Sequence, residues 1–395
     1  MGWHLTKTLL ALFLFLSVLS GTTHADNPLP VFIGLDAEFG HKTSTSDEAI
    51  RAGILIAIDE INRAGGVLDS RPLKLLERDN RSVPARGVVN FTELAQTPDL
   101  VAVFCGKFSP VVIEVLPTIY KLKIVTLDPW AAANTVVDNG YHPNYVFRLS
   151  LRDSWAIPTM MQHLRSKGAR RIGLMVPNTS WGRSNHDSAN TYAANNPAII
   201  LSSVQWYNWG DDSLMKQYRA ILDSNADALI LVANEREGSI LVKELEALPK
   251  DRLLPIASHW GISGGRFVEL AGPMLQKLDF AVVQTYSFIQ ARGEIVERVI
   301  KGAEEILGAK GAKGIVSPVG VAHAYDLTHI LARAINLAGS TDRSAIRDAL
   351  EQVEHYKGLI KDYERPFTPD RHEALEESDV FMAHFMADGS IIPIH

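Results

Sequence analysis

Apolar and polar positions along the chain follow two periods that take turns. Pro30–Leu35 is a short apolar run and Asp36–Asp47 a polar loop. Glu48–Ala64 then carries Ile50, Ile54, Ala57, Ile58 and Ile61 on one helical face until Gly65-Gly66 stops it. Arg71–Asp79 alternates as a strand, Val83–Leu94 has helical spacing, and Val101–Cys105 is again an apolar run too short for a helix. The order strand, helix, strand, helix, strand predicts a doubly wound parallel sheet.

Val101–Asn134 is the stretch around which the pattern is organised. Its apolar runs, Val101–Cys105 and Lys123–Leu127, flank a helix predicted to begin near Val111, with Ser109-Pro110 as its N-cap hydroxyl and first-turn proline. A helix start there presents free backbone N–H groups and a partial positive charge. The second run ends in Asp128-Pro129-Trp130-Ala131-Ala132. In a parallel sheet both loops emerge at the same strand edge, where small ligands bind in open α/β folds, so this unit is a candidate pocket floor.

A second alternating series follows. Val146–Leu151, a helix over Trp155–Lys167, Arg171–Val176, Ala198–Trp206, Leu214–Asp223, Ala228–Ala233, Arg236–Leu248 and Pro255–Ser258 complete a second sheet. Gly293–Leu307 and Gly320–Ala338 read as helices, and Phe367–Pro393 as returning strands. Two sheets imply two lobes, and about 370 residues after a leader exceed one compact core.

Residues 1–25 are expected to lie outside that fold. A single early lysine, Lys7, precedes the apolar run Leu9–Leu19, and Thr23-His24-Ala25 offers small residues for cleavage after Ala25. The run is too short to span a bilayer, so export to the periplasm is expected, with no membrane insertion of the mature chain. Loss of Lys7 takes the formal charge from −6 to −7. An acidic chain without basic runs is a poor partner for nucleic acid or an anionic membrane. The single Cys105 cannot form an internal disulfide, and its apolar flanks predict burial.

Gly53, Ala57-Ile58-Asp59-Glu60-Ile61-Asn62, Gly65-Gly66-Val67 and Arg71-Pro72-Leu73 together resemble the signature of leucine/isoleucine/valine-binding-type periplasmic proteins, the type 1 solute receptors of ABC importers. Thr179–Ser184 resembles the family's aromatic-Gly turn, and Ala324-Tyr325-Asp326 its Ala-Tyr-Asp helix. The resemblance covers the whole mature chain. It implies two α/β lobes, 26–147 plus 285–357 and 148–284 plus 358–395. These would be joined by three crossings near Phe147–Leu151, Ala281–Tyr286 and Tyr356–Asp362, and would close on a ligand about that hinge.

The resemblance also implies where a ligand sits. Its carboxylate would meet Gly106–Ser109, with Ser109 as the anion-holding hydroxyl and Lys107 adding charge. The second loop supplies Asp128, Trp130, Ala131 and Ala132, an alanine standing where relatives place a hydroxyl. Trp181, Asn234, Glu235 and Tyr286 complete the candidate set, with Phe39 and Ser46 in the first loop as weaker members. Relatives that bind amino acids place an acid near Trp260 to pair with the ammonium. The indole here points instead to an aromatic or apolar carboxylate, or to a quaternary ammonium held by cation–π contact, with Asp128 or Glu235 as substitutes for an amino acid.

Catalysis has little support. The 13 histidines are scattered without a metal-binding spacing, and neither a Gly-x-Ser-x-Gly elbow nor a phosphate-cradling loop occurs. Asp36 with Glu38, and Glu235 with Glu237, read as solvated loop carboxylates. The expectation is a solute-binding protein without cofactor or metal that delivers its ligand to membrane permease subunits. A module reporting to a membrane sensor kinase or receptor is the alternative.

Overall fold

The computed structural model describes residues 28–40 and 44–394, so the expected leader and its cleavage point lie outside the described residues. In chain order the strands and helices are β1 (Val31–Ala37), α1 (Ser46–Arg63), β2 (Leu73–Asp79), α2 (Pro84–Leu94), β3 (Leu100–Cys105), α3 (Ser109–Leu122), β4 (Thr126–Asp128) and β5 (Val146–Arg148). They continue with α4 (Asp153–Ser166), β6 (Arg171–Pro177), α5 (Ser180–Asn195), β7 (Ile200–Tyr207), α6 (Met215–Asp223), β8 (Ala228–Leu231), α7 (Glu235–Leu245), β9 (Ile256–Ser258), α8 (Phe267–Ala271) and β10 (Phe280–Gln284). The chain closes with α9 (Glu294–Leu307), α10 (Pro318–Ala338), α11 (Arg343–Leu350), β11 (Tyr356–Lys357), β12 (Asp362–Tyr363), β13 (Phe381–Phe385) and β14 (Ile391–Pro393). Among the described residues, no helix is long and apolar enough to cross a membrane.

Five parallel strands form the first sheet in the order β2-β1-β3-β4-β5. The second sheet runs β14-β13-β10-β9-β8-β6-β7. Its last five strands are parallel, whereas β13 and β14 are antiparallel additions from the C-terminal tail. The α/β alternation therefore yields the two doubly wound sheets its periodicity predicts. The antiparallel edge comes from a tail that re-enters by hairpin rather than through a helix. Cys105 is buried, as its apolar flanks require.

Helices α9, α10 and α11 follow β10 in sequence, yet α9 and α10 pack on α1 and α11 packs beside β3, so the chain returns to the first sheet. The close crossing of α1 and α10 explains Gly53. A Cβ there would lie 2.3 Å from the Val321 carbonyl oxygen. Gly66, with φ +79°, provides the left-handed turn after α1. Short connections pass between the sheets after β5, after β10 and through the β11–β12 hairpin. The strand expected over Val146–Leu151 stops at Arg148, because the chain leaves the sheet there.

Candidate functional site

Two loops at the carboxyl edge of the first sheet form one wall. After β3, the Gly106 N–H donates to the Asp36 carbonyl (2.8 Å) and the Lys107 N–H to Asp47 Oδ1 (2.9 Å), which aims the chain into α3. Ser109 is the first helical residue and Phe108 occupies the N-cap position. The expected N-cap role of Ser109 is thus corrected: its Oγ accepts the Ala133 N–H at 3.2 Å. Capping is replaced because Ala133 comes within reach from the adjacent loop, and the hydroxyl keeps its own proton to donate.

That adjacent loop is internally braced. Asp128 Oδ1 accepts the N–H groups of Trp130 (2.9 Å) and Ala131 (2.7 Å), while buried Oδ2 has no hydrogen-bond partner. Arg148 donates to the carbonyls of Ala131 (3.1 Å) and Ala133 (2.9 Å), its other nitrogens gripping Glu373. Burial pushes the Asp128 carboxyl up to about 7 against the pull of Arg148 and the two N–H groups. Asp128 builds the turn that presents Trp130 and Ala132; neither it nor Ala131 lines the cleft.

The opposite wall comes from the second sheet. Thr179 caps α5 by accepting the Gly182 N–H, which places Trp181 one residue into the helix. The Trp181 indole donates to Asp153 Oδ1 (3.2 Å), and His259 Nε2 meets the same oxygen at 3.0 Å. Asn234 is the N-cap residue of α7, with Glu235 beginning the helix. Trp260 lies with its ring 5.3 Å from that of Trp130, so an indole from each wall meets across the cleft.

The narrow cleft is lined by Lys107, Phe108, Ser109, Pro110, Trp130, Ala132, Trp181, Trp209, Asn234, Trp260 and Gly261. Seven sequence candidates are brought together there: Lys107, Ser109, Trp130, Ala132, Trp181, Asn234 and Trp260. Tyr286 lies instead in a groove beside Leu359 and Ile360, at the second and third connections. Ser46 starts α1, and Phe39 donates its N–H to Asp79; neither lines the cleft.

Trp209 was not anticipated. It follows β7, stands edge-on to Phe108 with ring centres 5.2 Å apart, and has a buried indole N–H without a partner. The Asn208-Trp209-Gly210-Asp211 turn was its only sequence signal. His323 was also missed. It joins the Pro129 carbonyl at Nδ1 (2.8 Å) to Thr285 Oγ1 at Nε2 (2.9 Å) behind Trp260, and burial pushes it down to about 4.

Charge concentrates at one end of the cleft. The Lys107 ammonium is buried, donates to Ser44 Oγ, and lies 3.8 Å from Glu38 Oε2 and 3.6 Å from Glu235 Oε1. It also stands 4.7 Å from the Phe108 ring centre. Burial raises the Glu235 carboxyl, opposed by Lys107, and takes Asp47 up to about 7. Asp36, Glu38, Glu235 and Glu237, expected to be solvated, are all buried, and Glu235, also expected to contact the ligand, pairs with Lys107 from the first sheet without lining the cleft.

Two walls on separate sheets, three connections and a cleft between them define a two-lobed, type 1 binding protein. Residues 30–384 match the periplasmic binding protein family, and the chain belongs to it. No curated protein matches the chain. Among solved structures it resembles a type 1 periplasmic binding protein from Bordetella pertussis Tohama I (20% identity, TM-score 0.81, covering 92% of this chain and 100% of that one). It resembles the branched-chain amino acid binding protein LivJ of Streptococcus pneumoniae in complex with isoleucine (17%, TM-score 0.75, 92% and 100%). A solute binding protein from R. palustris in complex with 4-hydroxybenzoate is also similar (14%, TM-score 0.75, 93% and 96%). At these identities the likeness carries the fold.

Proposed function

We propose that the chain binds a small organic carboxylate with an aromatic or apolar body in the interlobe cleft and delivers it, in the periplasm, to the permease subunits of an ABC importer. One observation carries the reading. Trp130, Trp181, Trp209, Trp260 and Phe108 surround the start of α3, where Ser109 retains a donatable proton. Indole faces suit a planar apolar body, and the helix start with its hydroxyl suits an anion. Trp260 in the place where amino-acid binders carry an acid supports a ligand other than a branched-chain amino acid. Solved relatives bind isoleucine and 4-hydroxybenzoate, which bracket these choices. Closure is proposed to hinge lobe 26–147 plus 285–357 against lobe 148–284 plus 358–395.

Thermal shift of the mature protein against aromatic and aliphatic carboxylates, betaines and amino acids, followed by calorimetry, tests the reading. A ligand at a hundred times its Kd stabilises by about 2.7 kcal/mol. Shifts with carboxylates and none with leucine are expected; shifts confined to leucine, isoleucine and valine, or to betaines, would overturn it.

A further inference from the structure

Trp209 belongs to the second sheet and reaches the first. It follows β7, its ring stands edge-on to Phe108 with centres 5.2 Å apart, and Phe108 sits between Lys107 and Ser109 where α3 begins. All four side chains line the cleft. The Trp209 indole N–H is buried and has no partner among the described residues. A buried donor left unpaired costs free energy that an acceptor on a ligand recovers. The facing donors also have capacity left. Ser109 Oγ accepts the Ala133 N–H and keeps its proton. The Lys107 ammonium donates to Ser44 Oγ, while Glu38 and Glu235 stand beyond hydrogen-bond range at 3.8 and 3.6 Å. Donors with capacity to spare thus stand on both walls of one narrow cleft. An ionised carboxylate accepts only, through two oxygens with about four lone-pair sites, so it can take donors from both walls at once. A hydroxyl offers half as many lone pairs and has its own proton to place.

We propose that Trp209 is a specificity-determining residue whose indole N–H donates to the ligand carboxylate opposite Ser109 and Lys107. This rests on the carboxylate reading above and adds the side chain through which the second wall recognises the anion. A ligand without an acceptor at this end strands the indole N–H, and a site that strands a buried polar group discriminates strongly against such a ligand. Because the anion takes donors from both walls only when they meet on it, the same contact favours the closed arrangement once the carboxylate is bound.

The test measures calorimetric binding of benzoate, phenylacetate and hexanoate to the mature wild-type chain and to W209F, which keeps a ring against Phe108 and removes the N–H. Each carboxylate that binds wild type is expected to bind W209F about tenfold or more weakly, the loss of a hydrogen bond to a charged group. A second readout uses the wild-type chain alone. Its Trp209 indole N–H resonance, identified by its absence from W209F or W209Y, should move downfield when the same carboxylate saturates the site. A purely structural role for the ring would not move it in that way. Unchanged affinity in W209F, or a resonance that stays in place at saturation, overturns the role of Trp209 and leaves the carboxylate reading standing. Binding by none of the three carboxylates overturns both.

Discussion

Asp128 illustrates how a residue with the chemistry of a ligand contact can be spent on backbone. One oxygen holds two N–H groups of its own turn and the other is sealed away. Its folded pKa, about 7, lies above the ordinary 3.8. Between these values the native state keeps a proton that the unfolded chain has released. This contribution is therefore complete below about pH 4, and is lost as pH rises toward 7, by roughly 4 kcal/mol at most. Asp47 and Asp36, raised by burial to about 7 and about 6, act in the same direction. His323 opposes them: pushed down to about 4, it withdraws stability as pH falls below 6.5. Asp128→Asn keeps an oxygen for both N–H groups and removes the titration. Urea midpoints at pH 5 and pH 8 should then differ less in the variant than in wild type; an unchanged difference would show that Asp128 is already ionised at pH 5.

At the scale of elements, the packing of α1 against α10 depends on Gly53. Gly53→Ala drives a methyl onto the Val321 carbonyl and is expected to cost about 1–3 kcal/mol, read as a lower urea midpoint with an unchanged slope. Asp326 on α10 organises the third connection. Its oxygens accept the Tyr356 and Tyr363 hydroxyls at 2.9 and 3.0 Å and the N–H groups of Leu359 and Ile360 at 2.7 and 3.0 Å. Asp326→Ala strands four donors and is expected to cost about 3–5 kcal/mol, with early proteolytic cleavage near the hairpin. A variant as stable and protease-resistant as wild type would deny that role. Periodicity made the sheets legible because burial of one helix face or a whole strand is written locally. It missed α11, whose start rests on Asp342 accepting the Ala345 N–H. The cleft was legible where loops follow strands, as at Lys107, Ser109, Trp130 and Trp181. It was illegible where function depends on partners distant in sequence. Ala133 taking the Ser109 oxygen, and Trp209 meeting Phe108, have no local signature.

Across the whole molecule, Arg148 couples the connections to the cleft. It ends β5, where the first connection leaves the sheet, and the Arg148 and Ala374 N–H groups donate to the His372 and Arg148 carbonyls at 2.8 Å each, laying the returning tail alongside. The same guanidinium grips Glu373 and holds the carbonyls beneath Trp130 and Ala132. Removing one member of a buried ion pair costs about 3–5 kcal/mol, whereas replacing both by apolar residues can be nearly neutral. Glu373→Leu should therefore lower stability by that amount. The double variant R148M/E373L should regain part of it, since neither charge of the pair remains while the Ala131 and Ala133 carbonyls lose their donor. Ligand binding separates the two duties of Arg148: the double variant, though stable, lacks the brace on Ala131 and Ala133 and should bind a wild-type ligand about tenfold or more weakly. Urea unfolding and calorimetry on the single and double variants measure both quantities. Recovery of affinity together with stability would mean that the Asp128 turn alone positions Trp130 and that Arg148 serves only the connection. Stability restored without affinity would place the guanidinium in both, so that the arrangement of the cleft depends on how the lobes are joined.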